Sequence, residues 1–411
     1  MVIKNAIICD KDTEAKGDIR IQNGKIVKIA LSIQQEPNEE VLDAKDLILL
    51  PSAIDLNVNL KDKKLTKENL INLSKKGAKG GVGTLILSPN SHPTLNSEIT
   101  MELLNALNVN LDCAIIGLVA SAKENGEKGL NDISMLHKKG ACGIYTQSCE
   151  DGNNLKRACE FSLMLDIPMF FSCEDKDLSA NGVMNDSELS SKLGLPGIPN
   201  LSEIKEVAMM SEVATFMNVR SIFQKIATTR SIEILSDAKN KNPNIFIECS
   251  IHHLLLNEDL CANYNTFAKI KPPLKSESTR GKLLKLLKDN KIDLITSLQS
   301  ESSLANKDLS FDEADFGVDM LEYFVPMCYT LLVKNQKMNL KEMSKILSYN
   351  PAFVLGMENK GLIKEGYDAD FILLDIKGSE VIENADCPYY DWIFSSKIKR
   401  IFKAGKEVNF E

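Results

Sequence analysis

Apolar residues fall into short continuous runs along most of the chain, separated by stretches with helical spacing. Near the start, Val2–Cys9, Asp18–Gln22 and Lys25–Ile29 are rich in β-branched residues. The Asn23-Gly24 step between the last two predicts a two-residue hairpin. From residue 51 the pattern changes. Eight runs read as strands: Ala53–Asn59, Gly83–Ser88, Cys113–Val119, Gly143–Thr146, Pro168–Ser172, Arg220–Ile226, Asn244–Cys249 and Ile292–Thr296. Between most of them lie amphipathic helical patterns, at Lys67–Lys79, Ser97–Leu107, Asp132–Lys139, Asn154–Leu165, Leu201–Phe216, Ser231–Lys239 and Thr279–Asp289. Gly317–Lys334 and Leu340–Leu347 follow the last strand as two further helices. Short Val/Ile/Leu-rich strands alternating with helices imply parallel strands covered on both faces. Eight such units in about 300 residues fit a (β/α)8 TIM-like barrel.

The tail returns to strand character at Asp370–Asp375 and Ile398–Phe402. Both ends are therefore β-rich around an α/β middle. The expected organisation is a small composite β-domain from residues 1–50 plus 355–411, beside a barrel of residues 51–354. The polar stretches Glu174–Leu195 and Leu298–Asp315 are expected to be the least ordered.

Composition narrows the function classes. The 411 residues are 44% hydrophobic and 26% charged, as in an ordinary soluble globular protein. Lys and Arg total 49 against 57 Asp and Glu, a net charge of -8, which argues against a nucleic-acid partner. No apolar run approaches the ~18 residues that span a bilayer, so no membrane partner is expected. The first residues show no signal-peptide pattern. Ten scattered cysteines form no C-x-x-C pair, which points away from a zinc ribbon or redox pair and toward small hydrophobes in a reducing cytoplasm.

Few motifs carry chemistry by themselves. Gly80-Gly81-Val82-Gly83-Thr84 has the look of a phosphate loop, but no Lys-Ser/Thr follows the last glycine and a strand comes next, so it reads as a helix-to-strand turn. His252-His253 are adjacent and so point in different directions. His92 and His137 stand alone, and four histidines are few for a metallohydrolase, so each is expected to be structural. Cys173-Glu174-Asp175 follows a strand end, where barrels place their chemistry, but equally suits a loop with helix-capping carboxylates.

Over essentially its full length the chain resembles the dihydroorotase branch of the amidohydrolase superfamily. Gly80–Thr84 through Ser88-Pro89-Asn90-Ser91-His92-Pro93 resembles that family's GG-x-T strand and P-N-x-x-P. Ser172-Cys173-Glu174-Asp175 resembles H-C-E-D, and Ile251-His252-His253-Leu254-Leu255-Leu256 resembles P-H-H-L-x-L. Lys271-Pro272-Pro273-Leu274-Lys275 resembles N-P-P-L-R. Asn350-Pro351-Ala352 and Gly361–Asp370 match the family's ending. The resemblance implies a distorted barrel with a β-domain built from both termini.

The same comparison exposes departures. The family opens its barrel with D-x-H-x-H-x-R, two zinc-binding histidines and a substrate-carboxylate arginine. Here Asp55-Leu56-Asn57-Val58-Asn59-Leu60-Lys61 stands instead. An amide is a poor zinc ligand beside imidazole, and Lys61 keeps the charge without the planar fork. The bridging Lys or Asp is missing from Tyr145-Thr146-Gln147-Ser148. Ser172 replaces the histidine of H-C-E-D. Lys225 falls where H-x-x-H-x-S-T carries a ligand, and Ser297 replaces the aspartate of T-D-H-A-P. Losses at five strand ends remove the metal and the general base that activate water.

The resemblance therefore implies a catalytically inactive homologue with no metal and no cofactor. In some bacteria such a chain accompanies aspartate carbamoyltransferase as a structural partner. Lys61, Asn90 and Lys271 would line a vestigial pocket for a small carboxylate. The alternative is an active zinc-dependent cyclic amidohydrolase that recruits Cys142, Cys149, Cys173, Glu174 or Asp175. A third possibility is a self-assembling structural protein or small-molecule sensor, since the family tends to form homo-oligomers through outer helices. Val207–Phe216 and Met320–Leu332 are the apolar candidates, although packing against the barrel accounts for them more simply.

Overall fold

The computed structural model describes residues 1–123, 129–148 and 151–409. Five strands open it: β1 (Val2–Cys9), β2 (Glu14–Gln22), β3 (Lys25–Ala30), β4 (Val41–Asp43) and β5 (Ile48–Pro51). The β2–β3 turn is the expected one, with Asn23 and Gly24 at φ 52° and 76°, the left-handed pair that a two-residue hairpin needs.

The barrel begins with β6 (Ala53–Asn59), β7 (Val82–Leu87), β8 (Ala114–Gly117) with its continuation β9 (Val119–Ala120), β10 (Ile144–Gln147) and β11 (Met169–Ser172). A side excursion pairs β12 (Met184–Asn185) with β13 (Gly197–Ile198). β14 (Ser221–Gln224), β15 (Ile245–Ser250) and β16 (Leu294–Thr296) complete the eight, and β17 (Gln299–Ser300) pairs with β6 to close the ring. Neighbouring barrel strands pair in parallel. One apolar cluster draws residues from around the whole ring: Ile54, Leu56, Ile86, Leu118, Tyr145, Phe170, Ile222, Phe246 and Leu294, with Ala352 and Val354 from the helix Asn350–Val354. That pattern fills the barrel interior.

The chain ends with β18 (Phe371–Val381), β19 (Ile393–Lys403) and β20 (Lys406–Val408). They join the opening strands in one eight-stranded sheet, in the order β20-β19-β18-β5-β1-β2-β3 with β4 on β1. The link is antiparallel, Ile372 opposite Leu50 and Leu373 opposite Leu49. The fold is thus an α/β barrel of amidohydrolase type carrying a β-domain built from both termini.

Three sequence expectations need correction. Glu174–Leu195 is not irregular. It holds the helices Lys176–Ser179 and Glu188–Leu193, capped by Asp175 and Ser187, besides β12. Leu298–Asp315 is tied down by two buried lysines. Lys307 Nζ donates to the carbonyls of Thr266, Asp315 and Gly317 at 3.1, 2.8 and 2.8 Å, and Lys269 Nζ to those of Phe311 and Ala314 at 2.7 and 2.5 Å. Polar composition suggested looseness, whereas backbone carbonyls satisfy the buried charges. Gly317–Lys334 is not one helix. Gln299 Oε1 takes the N–H groups of Met320 and Leu321 before any helix starts. A 3-10 turn Leu321–Tyr323, an α-helix Phe324–Cys328 and a wider π-helical run Tyr329–Asn335 then follow, with Pro326 unable to donate in the middle. Gly80-Gly81 is the expected turn. A Cβ on Gly80 would meet the Leu321 carbonyl oxygen at 1.9 Å, and Gly81 has φ 81°.

Candidate functional site

At the C-terminal ends of the barrel strands lies a cavity of about 470 Å³. Six of the residues singled out from the sequence meet there: Asn57 and Asn59 from β6, Asn90 after β7, Ser172 at the end of β11, Lys225 after β14, and Lys271. Asn90 Nδ2 and Gln147 Nε2 both donate to the Tyr145 hydroxyl at 3.0 Å. Lys271 Nζ holds Glu174 Oε1 at 2.7 Å.

Lys61 and Ser297 lie elsewhere. Lys61 starts a 3-10 turn in which Asp62 is left-handed at φ 48°, and its Nζ pairs with Glu301 Oε1 at 2.7 Å. It lines a neighbouring groove, beside Asn384 and Asp386 of the β18–β19 hairpin, rather than the main cavity. Ser297 is buried in the floor. Its N–H donates to Asp55 Oδ2 at 3.1 Å, and its Oγ accepts the Gln299 N–H at 3.1 Å.

Beneath the cavity runs a hydrogen-bonded floor that sequence reading missed. Glu248 on β15 is fully buried, and its Oε1 accepts Asn57 Nδ2 at 2.9 Å, Thr296 Oγ1 at 3.0 Å and the Lys225 N–H at 3.2 Å. Its Oε2 has no partner among the described residues. Burial raises its pKa, an effect partly opposed by those donors. Asp55 is also wholly buried. Desolvation pushes it up to about 7, against the N–H groups of Ser297 and Asn57 that favour the ionised form. The only sequence signal was a carboxylate inside each of two apolar runs.

His252 extends the floor toward the tail. Its Nε2 lies 2.8 Å from the Ser297 carbonyl oxygen and its Nδ1 2.7 Å from the Tyr389 hydroxyl. A carbonyl only accepts, so the proton sits on Nε2 and Nδ1 accepts from Tyr389. His253 is fixed likewise, Nε2 toward the Pro272 carbonyl at 3.0 Å and Nδ1 toward Ser250 Oγ at 3.1 Å. Desolvation lowers His252 to about 3 and His253 to about 4, so both are neutral. His137 bonds the Ala141 carbonyl, while His92 lines the cavity.

Comparison with known proteins places this architecture. Residues 46–223 match the dihydro-orotase-like family and residues 200–408 the amidohydrolase family. A dihydroorotase from Elusimicrobium minutum (strain Pei191) is 30% identical, covering 98% of this chain and 96% of that protein. The chain belongs to the dihydroorotase family of amidohydrolases. Another dihydroorotase, from Thermoanaerobacter sp. (strain X514), is 32% identical over 91% of this chain and 88% of that protein. Among solved structures, the L-hydantoinase (dihydropyrimidinase) of Arthrobacter aurescens superposes with a TM-score of 0.87 at 18% identity, covering 99% of this chain and 95% of that one. That likeness shows the shared barrel fold.

The donor set of this family member does not fit a zinc ion. The strand ends present two amides, a hydroxyl and an ammonium group, from Asn57, Asn59, Ser172 and Lys225. Asn57 has already turned its amide nitrogen to Glu248, and Lys225 would repel a dication. Both ring nitrogens of His252 and of His253 are engaged by protein groups. Among the described residues no three His, Cys, Asp or Glu side chains come together to hold a metal. Among the described residues, the cysteines that a thiolate centre would recruit are held as protonated thiols in the metal-free chain. Burial pushes Cys142 up to about 12 and Cys173 well above the usual thiol range. Glu174 is paired with Lys271, and Asp175 caps a helix and pairs with Lys205. Cys149 lies outside the described residues.

Proposed function

We propose that this dihydroorotase-family chain does not hydrolyse the cyclic amide and serves pyrimidine biosynthesis as a structural or regulatory partner of aspartate carbamoyltransferase. The observation that carries the first half is the floor itself. Neutral amides, a hydroxyl and Lys225 occupy the strand ends, and Asn57 is bound to Glu248. Such groups cannot lower the pKa of a water or polarise a carbonyl as a metal does. The partner half rests on the resemblance set out above, a whole scaffold retained without the residues of its chemistry. No helix among the described residues is long and apolar enough to cross a membrane, which suits a cytoplasmic assembly.

The test is native co-purification with the transferase, run beside a dihydroorotate hydrolysis assay in added zinc. The expected result is co-elution, altered transferase activity or stability, and no hydrolysis above background. Hydrolysis with stoichiometric zinc would restore the active reading. A lone species without effect on the transferase would remove the partner.

A further inference from the structure

The lysines of the cavity are unequally committed. Among the described residues four line it: Lys63, Lys176, Lys225 and Lys271. Lys271 is held by Glu174 at 2.7 Å. The other three form no ion pair among the described residues, although Glu248, its carboxyl raised by burial, lies beside Lys225.

Two of the cavity's carboxylates, Glu174 and Glu301, are held in ion pairs that leave Lys63, Lys176 and Lys225 out. Glu301 takes Lys61 at 2.7 Å and Lys76 at 2.5 Å, neither of which lines the cavity. Asp62 Oδ1 accepts the Ser303 N–H at 2.8 Å and Asn306 Nδ2 at 3.2 Å. Asp315 lies in the field of the buried Lys269 and Lys307. What remains for a ligand is three ammonium groups without an ion pair, Lys63, Lys176 and Lys225, beside the amides of Asn57, Asn59, Gln147 and Gln224.

Among the described residues no arginine lines the cavity. A planar carboxylate is best gripped by the bidentate guanidinium fork, whereas separated ammonium groups act as point charges and suit a phosphoryl group with charge on several oxygens. The volume is that of a small-molecule site.

We infer that this cavity binds a small phosphorylated molecule, its phosphoryl oxygens held by Lys63, Lys176 and Lys225 and its polar remainder by the amide floor. This rests on the non-hydrolytic reading, since it gives the vacated catalytic cavity a ligand of a different class. A site so placed would let a phosphorylated metabolite act on whatever the chain assembles with.

The test is thermal unfolding of the full chain with inorganic pyrophosphate, against succinate and sulfate at matched ionic strength. At about a hundredfold excess over Kd, pyrophosphate should raise Tm by roughly 2 °C or more beyond either control. Lys176→Gln, at an exposed position, should reduce that shift, and the Lys176→Gln/Lys225→Gln pair should abolish it. Equal shifts with all three anions, or a pyrophosphate shift retained in Lys176→Gln, would overturn the proposal. A dihydroorotate assay on the same preparation tests the underlying reading separately, because hydrolysis would sink that reading whatever pyrophosphate does.

Discussion

Asn57 on β6 donates to Glu248 on β15 at 2.9 Å, past the intervening strand β16. The resemblance puts this amide where the family's first strand carries an imidazole, and here its nitrogen is held by a carboxylate. Glu248 in turn gathers Thr296 and the Lys225 backbone, so three separate strand ends converge on one carboxyl. The floor is a satisfied polar network on its Oε1 side, and such networks are costly to break in part.

Asn57→Ala should therefore destabilise the chain by about 1–3 kcal/mol, the usual cost of stripping a partner from a buried polar group. Urea unfolding followed by circular dichroism measures it. Asn57→Asp should be worse, and more so at pH 8 than at pH 5, because a third carboxyl joins Asp55 and Glu248 and must ionise beside them. An unchanged midpoint for both variants would mean that the contact contributes nothing.

Asp55 and the two buried histidines pull the pH dependence of stability in opposite directions. Asp55 rises from 3.8 to about 7 in the folded state, so the fold binds the extra proton and loses stability as pH climbs from about 4 to 7. His252 and His253 fall from 6.5 to about 3 and about 4, so the unfolded chain binds those protons and stability grows as pH climbs to 6.5, from about 3 for His252 and about 4 for His253. Asp55→Asn removes the first part alone. Its stability should climb more steeply than the parent's between pH 4 and 6.5, by up to about 1.4 kcal/mol per pH unit. Parallel curves would show that Asp55 titrates normally.

The barrel was legible because its strands are short apolar runs set off by helical spacing, and Ala53–Asn59 matches β6 residue for residue. The terminal sheet followed from β-rich ends. Side-chain commitments across the fold were not legible. Lys61 looked like a cavity cation, but a left-handed Asp62 and a waiting Glu301 turn it into the next groove. Leu298–Asp315 looked loose because nothing local shows that Lys269 lies within reach of its carbonyls. Glu248 and Tyr389 carried no motif of their own, and their roles depend on residues 191 and 137 positions away.

Tyr389→Phe tests the tail's hold on the barrel. The hydroxyl is the only donor to His252 Nδ1 among the described residues, and both side chains are buried. Its loss leaves a buried acceptor unpaired, at a cost of about 1–3 kcal/mol. Amide exchange should quicken in the 382–392 connection between β18 and β19 and at the adjoining strand ends before the barrel opens. Protection unchanged there would mean that aromatic packing of Tyr389 against Trp392 and Phe394 holds the hairpin without the bond.

Rebuilding the metal site tests which substitution forbids it. Asn57→His/Asn59→His returns two imidazoles to β6 but leaves the Lys225 ammonium beside them, and two ligands facing a cation should hold less than about 0.1 zinc per chain. Adding Ser172→His and Lys225→His removes that charge and supplies two more imidazoles from the ends of neighbouring strands. β11 and β14 run parallel there, with Ser172 opposite Gln224. The fourfold variant should retain more than about 0.5 zinc per chain by inductively coupled plasma mass spectrometry after gel filtration. Zinc in the twofold variant would show that Lys225 is no barrier. A fourfold variant that folds and stays zinc-free would place the obstacle in the Glu248 floor, which an imidazole at position 57 must first release.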